Sequence, residues 1–298
     1  MPPLTRQRTP QSLHSEWSRN SLGPTISIHA LAKPLMRVMY HRAVLDLIKR
    51  QQGIPLSAET MEIYQSYLGW KYVAETTKSW ILREICQRAL AEAEAQVAAE
   101  FLLSCDGLFE STNVAVRGFT ARILAELAIH PSTRGAVLAV QPCARLVALL
   151  HDGDVGVAIN SYHALSAISR DLDGARALVE GGALNFILEV LESTNATVRS
   201  LTSLLLAQLA SYSSTRRAVI AVKSCARLVA LLGDGNVDVV NGTCYALSQI
   251  VRDSDGAKAI VEAGALGLLR QLLESKDTQV REHSCWILAR LASYSSLL

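Results

Sequence analysis

An all-α solenoid of stacked helical repeats is the fold class this chain predicts, on three observations. One segment recurs at fixed spacing: VRGFTARILAELA at 116–128 returns as VRSLTSLLLAQLA at 198–210 and as VREHSCWILARLA at 280–292, 82 residues apart each time. Apolar residues return at i, i+3, i+4 and i+7, and no segment alternates with period two over a useful length. The composition is 50% hydrophobic but only 5% aromatic and 19% charged. The apolar mass is therefore Ala, Leu and Val, small enough for close helix packing at every interface. An array of repeats has no single core, so a chain of this length need not split into two globular domains.

The repeat unit is half the longer period. CARLVALLHDGD at 143–154 returns as CARLVALLGDGN at 225–236, and RDLDGARALVEGGAL at 170–184 as RDSDGAKAIVEAGAL at 252–266. Val116, Val157, Val198, Val239 and Val280 also fall in register, as do Leu124, Leu165, Leu206, Leu247 and Leu288, which sets a unit of 41 residues. Within one unit a short helix over 175–180 stops at Gly181 and Gly182. A second starts at Ala183 with Leu184, Ile187, Leu188 and Leu191 on one stripe. A third starts near Thr197 and is apolar on nearly every face, so it must be sandwiched between neighbours. Five units end near Ala128, Arg170, Ser211, Arg252 and Ser293. The first is degenerate, because FLLSCDGLFES at 101–111 lacks the Gly corner. SWILREI at 79–85 is similar to CWILARL at 285–291, which extends the pattern back to about Tyr72.

The N-terminal third reads differently. Residues 1–25 hold Thr, Ser, Arg and Pro without periodicity and are expected to be a disordered leader. Ile26–Gln52 carries a stripe through Met36, Met39, Val44, Leu47 and Ile48, with Pro34 expected to begin or kink the helix. Ser57, followed by Glu59 and Thr60, reads as the N-cap of a helix that stops at Gly69. The expected organisation is a leader over 1–25, an N-terminal helical cap over 26–87 covering the first repeat's open face, and the array over 88–298.

Composition and motifs narrow the function. Lys plus Arg is 29 against 27 for Asp plus Glu, a formal charge of +2, which gives no electrostatic footprint for nucleic acid. No stretch approaches the roughly 20 apolar residues of a membrane span, and Pro2 and the SSLL ending give no acceptor for myristoyl or prenyl groups. Cys86, Cys105, Cys143, Cys225, Cys244 and Cys285 show no CxxC spacing and read as small buried hydrophobes, pointing to a reducing, cytoplasmic location with the nucleus left open. Nucleotide-, hydrolase- and zinc-type motifs are missing, and the seven histidines share no i, i+4 pairing. No enzyme, cofactor or metal is therefore expected. DLDG at 171–174 and DSDG at 253–256 open like calcium loops but have Gly182 and Gly264 at the twelfth position, so they read as inter-repeat turns. Arg117, Arg199 and Arg281 recur in alternate repeats, to meet either acidic partner groups or local helix-start contacts.

EGGALNFILEVLES and EAGALGLLRQLLES, each followed by a third helix of the VR type, resemble armadillo repeats. That resemblance implies a right-handed armadillo-type solenoid whose third helices line a concave groove for extended peptides. Members that carry nuclear-localisation peptides use a Trp four residues before an Asn along that groove, one helical turn apart. Here the Trp positions hold Arg122, His163, Leu204, Tyr245 and Trp286, and the Asn positions hold Glu126, Ala167, Gln208, Gln249 and Arg290, so no repeat keeps both. An import adaptor is disfavoured accordingly. The candidate groove set is Arg122, Glu126, His163, Leu204, Gln208, Asn241, Tyr245, Gln249, Glu282, Trp286 and Arg290. The expected role is a non-enzymatic scaffold for a protein or peptide partner. A membrane-trafficking or vacuolar tether, resembling other fungal armadillo proteins, is the alternative, disfavoured by the missing myristoylatable glycine; TRQRTPQSLHSEWS, KPLMRVMYHRAVLDLI and SAETMEIYQSYLGWKYV resemble the leader of a group of basidiomycete armadillo-type proteins, which implies a family but no biochemical role. Cys285, Ile287, Leu288 and Leu291 with no following helix pair imply self-association, a docked partner or a truncated array.

Overall fold

Side chains that close helix ends divide the chain into its elements. The computed structural model describes residues 28–89 and 92–294, and among them every regular element is helical. The expected leader over 1–25 lies outside the described residues. Two compact units emerge, one running to Val140 and the other starting at Gln141.

In the N-terminal unit, α1 (Ile28–Gln51) carries Pro34 inside it, which excludes the helix start from the two expected roles of this proline, a start or a kink. The expected stripe is also shifted. Met39 is exposed, and the buried line runs through Met36, Tyr40 and Val44, each four residues on and so on one face. α2 (Ala58–Leu68) begins as expected at Ser57, whose Oγ accepts from the Thr60 N–H at 3.2 Å. Then come α3 (Glu75–Arg88), α4 (Glu92–Ala98) and a 3-10 turn, Ala99–Ser104, where a full repeat would place its second helix. α5 (Val114–Ile129) and α6 (Pro131–Ala139) complete the unit, and α3 packs on α5 as successive third helices do. Arg88 fastens the end of α1 to α3: its Nε reaches Glu84 at 2.7 Å while its other nitrogens donate to the carbonyls of Gln51 and Ile54. The core is aromatic, with Tyr40, Tyr64, Tyr67 and Phe101 fully buried.

The C-terminal unit repeats a short, short, long order. It holds α7 (Cys143–Leu149), α8 (Val155–Ile168), α9 (Leu172–Glu180), α10 (Ala183–Val190) and α11 (Ala196–Ser211). It continues with α12 (Ser213–Ala221), α13 (Ser224–Leu231), α14 (Val237–Ile250), α15 (Ser254–Glu262), α16 (Ala265–Leu272) and α17 (Thr278–Ser293). The long helices α8, α11, α14 and α17 pack in sequence, and so do the first helices α9, α12 and α15. The buried hydrophobic side chains among the described residues of this unit are aliphatic or Cys, with no ring. The aromatic poverty of the chain is thus a property of its stacked repeats.

Three devices recur in register. Each long helix starts at an Asn or Asp, 41 residues apart: the side chains of Asp154, Asn195, Asn236 and Asp277 accept from the N–H of Val157, Val198, Val239 and Val280 at 3.0–3.3 Å. The corner before each second helix is left-handed, at Gln141 (φ 48°), Gly182 (74°), Lys223 (58°) and Gly264 (81°). The Gly corner read from the sequence is therefore present in every repeat of the unit, with a strained side chain in alternate ones.

The third device is the turn from a long helix into the next first helix, and it comes in two chemistries. At α8–α9 and α14–α15, Asp171 and Asp253 cap the new helix, and Gly174 and Gly256 lie against the carbonyl six residues back. A Cβ there would sit 1.7 Å from Ile168 O or 2.1 Å from Ile250 O. At α11–α12 no acid caps the helix. Instead Thr215 Oγ1 donates to Leu209 O at 2.5 Å and Arg216 Nε to Ala210 O at 2.7 Å. Thr133 and Arg134 do the same at α5–α6, toward Leu127 O and Ala128 O. The 82-residue period is the alternation of these two turns. Arg117, Arg199 and Arg281 prove to be local clamps, each donating to the carbonyl six residues upstream at 2.7 Å. Arg199 also forks onto Asp234.

Two stability changes of opposite sign are expected in urea unfolding. Gly256→Ala forces a methyl onto Ile250 O and should cost about 3 kcal/mol. Lys223→Gly relieves the left-handed strain and should add about 0.5–1 kcal/mol. Five cysteines are buried, and burial pushes Cys143, Cys225 and Cys244 up to about 11. Cys285 is exposed, contrary to the buried reading, because it sits on the outer side of α17. A thiol reagent at pH 8 should label Cys285 fast and the others only on unfolding.

Candidate partner-binding site

The long helices bury their flanks against each other and leave one strip of side chains outward. In the N-terminal unit, Arg122 and Glu126 stand one turn apart on α5 and face each other at 3.8 Å, so their charges are directed at each other. In the C-terminal unit, His163 on α8 is exposed and Leu204 on α11 is half-buried.

The amides assigned to this strip divide into spent and open. Gln208 is spent. Its Oε1 accepts from Ser166 Oγ at 2.8 Å and its Nε2 donates to Ser166 O at 2.8 Å, tying α11 to α8. Gln249 accepts from Arg252 Nη1 at 3.0 Å. Arg290 donates to Tyr294 OH at 3.1 Å, with its guanidinium 5.5 Å from that ring. Asn241 is different. Its Nδ2 donates to Gln279 Oε1 at 2.7 Å, while its Oδ1 is buried without a hydrogen-bond partner. Buried acceptors of this kind are costly when left unmet. Asn241 lines a cavity of about 260 Å³ between α11 and α14, with Leu201, Leu204 and Asn236.

One turn further along α14, Tyr245 is 38% exposed, its ring 5.4 Å from that of His283. Trp286, three residues on from His283 and therefore on the same side of α17, is 52% exposed. Glu282 is exposed beside them. The structure thus groups Leu204 with Asn241, and Tyr245 with His283. His283 and Gln279 escaped the sequence reading. The signal that finds them is an offset of 38 residues, one repeat less about one turn, which also pairs Ser200 with Asp238.

Among the described residues, no group of three or more His, Cys, Asp or Glu is placed to hold a metal ion. No described helix is long and apolar enough to cross a membrane.

Known proteins match this architecture. The model of the armadillo/beta-catenin-like repeat matches residues 253–293. An engineered protein solved by a structural genomics consortium is similar over 77% of this chain and 96% of its own, with 25% identity and a TM-score of 0.67. A designed armadillo repeat protein covers 76% of this chain and 98% of its own, at 20% identity and a TM-score of 0.65. Another, solved in complex with the peptide (KR)4, has the same coverage, identity and TM-score. No curated protein matches the chain.

Burial holds the His283 pKa below its ordinary value of 6.5, with Glu282 and Asp277 pulling the other way. The unfolded chain therefore takes up this proton first as pH falls. Stability from this site should be intact above pH 6.5 and be lost as pH drops through the lower folded value. His283→Gln should flatten that part of a stability–pH profile.

Proposed function

We propose, from the premise that this chain is an armadillo-repeat protein, that the outward strip of its C-terminal unit binds an extended segment of a protein partner. The observation that carries this reading is Asn241, whose side-chain carbonyl lies buried and unmet at a cavity between two long helices. An extended peptide offers what that oxygen lacks, a backbone N–H, and the adjoining Leu201 and Leu204 offer apolar cover. Tyr245 and Trp286 supply exposed rings within the same strip, and such side chains dominate the energetics of contact surfaces. The designed relative solved with a peptide supports a peptide as the class of ligand.

This role needs no bond-making chemistry and no cofactor. It makes the protein a non-enzymatic scaffold that selects its partner by side-chain fit and hydrogen bonds to the partner backbone. Gln208, Gln249 and Arg290 hold the strip in shape and are not its contact groups.

Peptide display against the purified protein tests the reading. Wild type should enrich extended sequences. Tyr245→Ala/Trp286→Ala should weaken the selected peptides at least tenfold, as should Asn241→Ala. Phe186→Ala, an exposed ring on α10, should leave them unchanged. Equal binding by all variants would refute the assignment.

A further inference from the structure

A second cavity, of about 580 Å³, opens where α11 turns into α12. Four arginines line it, Arg176, Arg216, Arg252 and Arg290, together with the hydroxyl-bearing run 211–214, and no carboxylate does. Asp173, exposed, pairs with Arg176 at 3.9 Å, and the charge of Asp253 acts on Arg216.

The arginines are held in different ways. Arg216 is 8% exposed, and its Nε and Nη2 donate to the carbonyls of Ala210 and Ser211, which fixes the guanidinium without neutralising it. Burial and the charge of Arg252 push its pKa down, while Asp253 and Tyr294 pull it up. Arg252 donates only to the neutral Gln249, and Arg290 to the neutral Tyr294. The Arg290 Nε is buried with no hydrogen-bond partner. The first turn of α12 borders the same space. Its N-cap, Tyr212, makes no side-chain cap bond, whereas Asp171 and Asp253 close the equivalent helices with a carboxylate that would repel an anion.

Four guanidinium groups outnumber the two carboxylates that act on them, Asp173 and Asp253, and one of their donors is unmet, which calls for a compact anion. A carboxylate is planar and is satisfied by one fork, but a phosphate monoester carries nearly two charges and three oxygens that accept from several directions. We propose that this cleft binds a dianionic phosphate group, gripped by Arg252 and Arg290 against the fixed wall of Arg216 and the first turn of α12. The group is supplied either by free phosphate or by a phosphorylated side chain of a partner.

NMR titration of the full chain at constant ionic strength tests this with inorganic phosphate, a phosphoserine peptide and its unphosphorylated twin. Inorganic phosphate should give saturable shifts at the amides of 213–216 and at the arginine Nε resonances. Arg252→Gln/Arg290→Gln should weaken binding at least tenfold, and so should Ser214→Glu, which places a carboxylate at the rim. Arg270→Gln, an exposed cation on α16, should change nothing. Tighter binding of the phosphopeptide than of free phosphate assigns the partner as source; equal binding assigns the free ion. Shifts that do not saturate, or that persist in both cleft variants, would overturn the proposal.

Discussion

Between the end of a long helix and the start of the next short one lie only one or three residues, so the last carbonyls of the first meet the first turn of the second. Those carbonyls have no partner within their own helix, and a buried one must be met from elsewhere. The carbonyl that matters lies six residues before the third position of the new helix: Ile168, Leu209 and Ile250 in the C-terminal unit. Two side-chain sets accommodate it. Glycine lets the new helix ride directly on the carbonyl, with an Asp closing the helix start. Thr and Arg instead donate to it and to its neighbour, and the Asp is dispensed with. Both turn the chain from a long helix into the next first helix, and the long helices pack in sequence across either type of turn.

The two proposed binding surfaces follow from that turn. Because the long helices stack flank to flank, each has one outward strip, and the side chains there either bridge to a neighbouring long helix, as Gln208 does and as Asn241 does through its amide nitrogen, or remain exposed, as Tyr245 and Trp286 do. The choice of turn has a second consequence at the edge of the stack. Where Tyr212, Thr215 and Arg216 stand in place of the Asp, Gly and Ala of the other turn, a carboxylate is lost and a buried cation gained, and the cleft beside α12 becomes basic. A structural alternative at one repeat thereby creates a chemical difference that its neighbours lack.

Much of this was legible in the sequence, for physical reasons that also mark where legibility stopped. The repeat length, the three-helix order and the corner at Gly182 and Gly264 are local patterns, fixed by residues within one unit. The same corner at Gln141 and Lys223 was hidden, since nothing in those residue types announces a positive φ. Gln208 looked like a free amide, and Arg199 stayed undecided between partner and local contacts, because Ser166 and Asp234 lie 42 and 35 residues away, on another helix and in the loop before α14. A reading confined to one helix face cannot see such pairs. Pro34 allowed two readings, a helix start or a kink, and the helix that begins at Ile28 removes the first.

That the two turns are interchangeable solutions of one constraint is open to a direct measurement. Tyr212→Asp/Ser214→Asp/Thr215→Gly/Arg216→Ala converts the α11–α12 turn to the Asp-Gly type, with Ser213 already matching Ser254. Urea unfolding of this variant should stay cooperative and within about 1 kcal/mol of wild type. Thr215→Gly/Arg216→Ala alone, which removes one solution without installing the other, should lose about 3 kcal/mol. A full graft as unstable as the partial one would contradict the account.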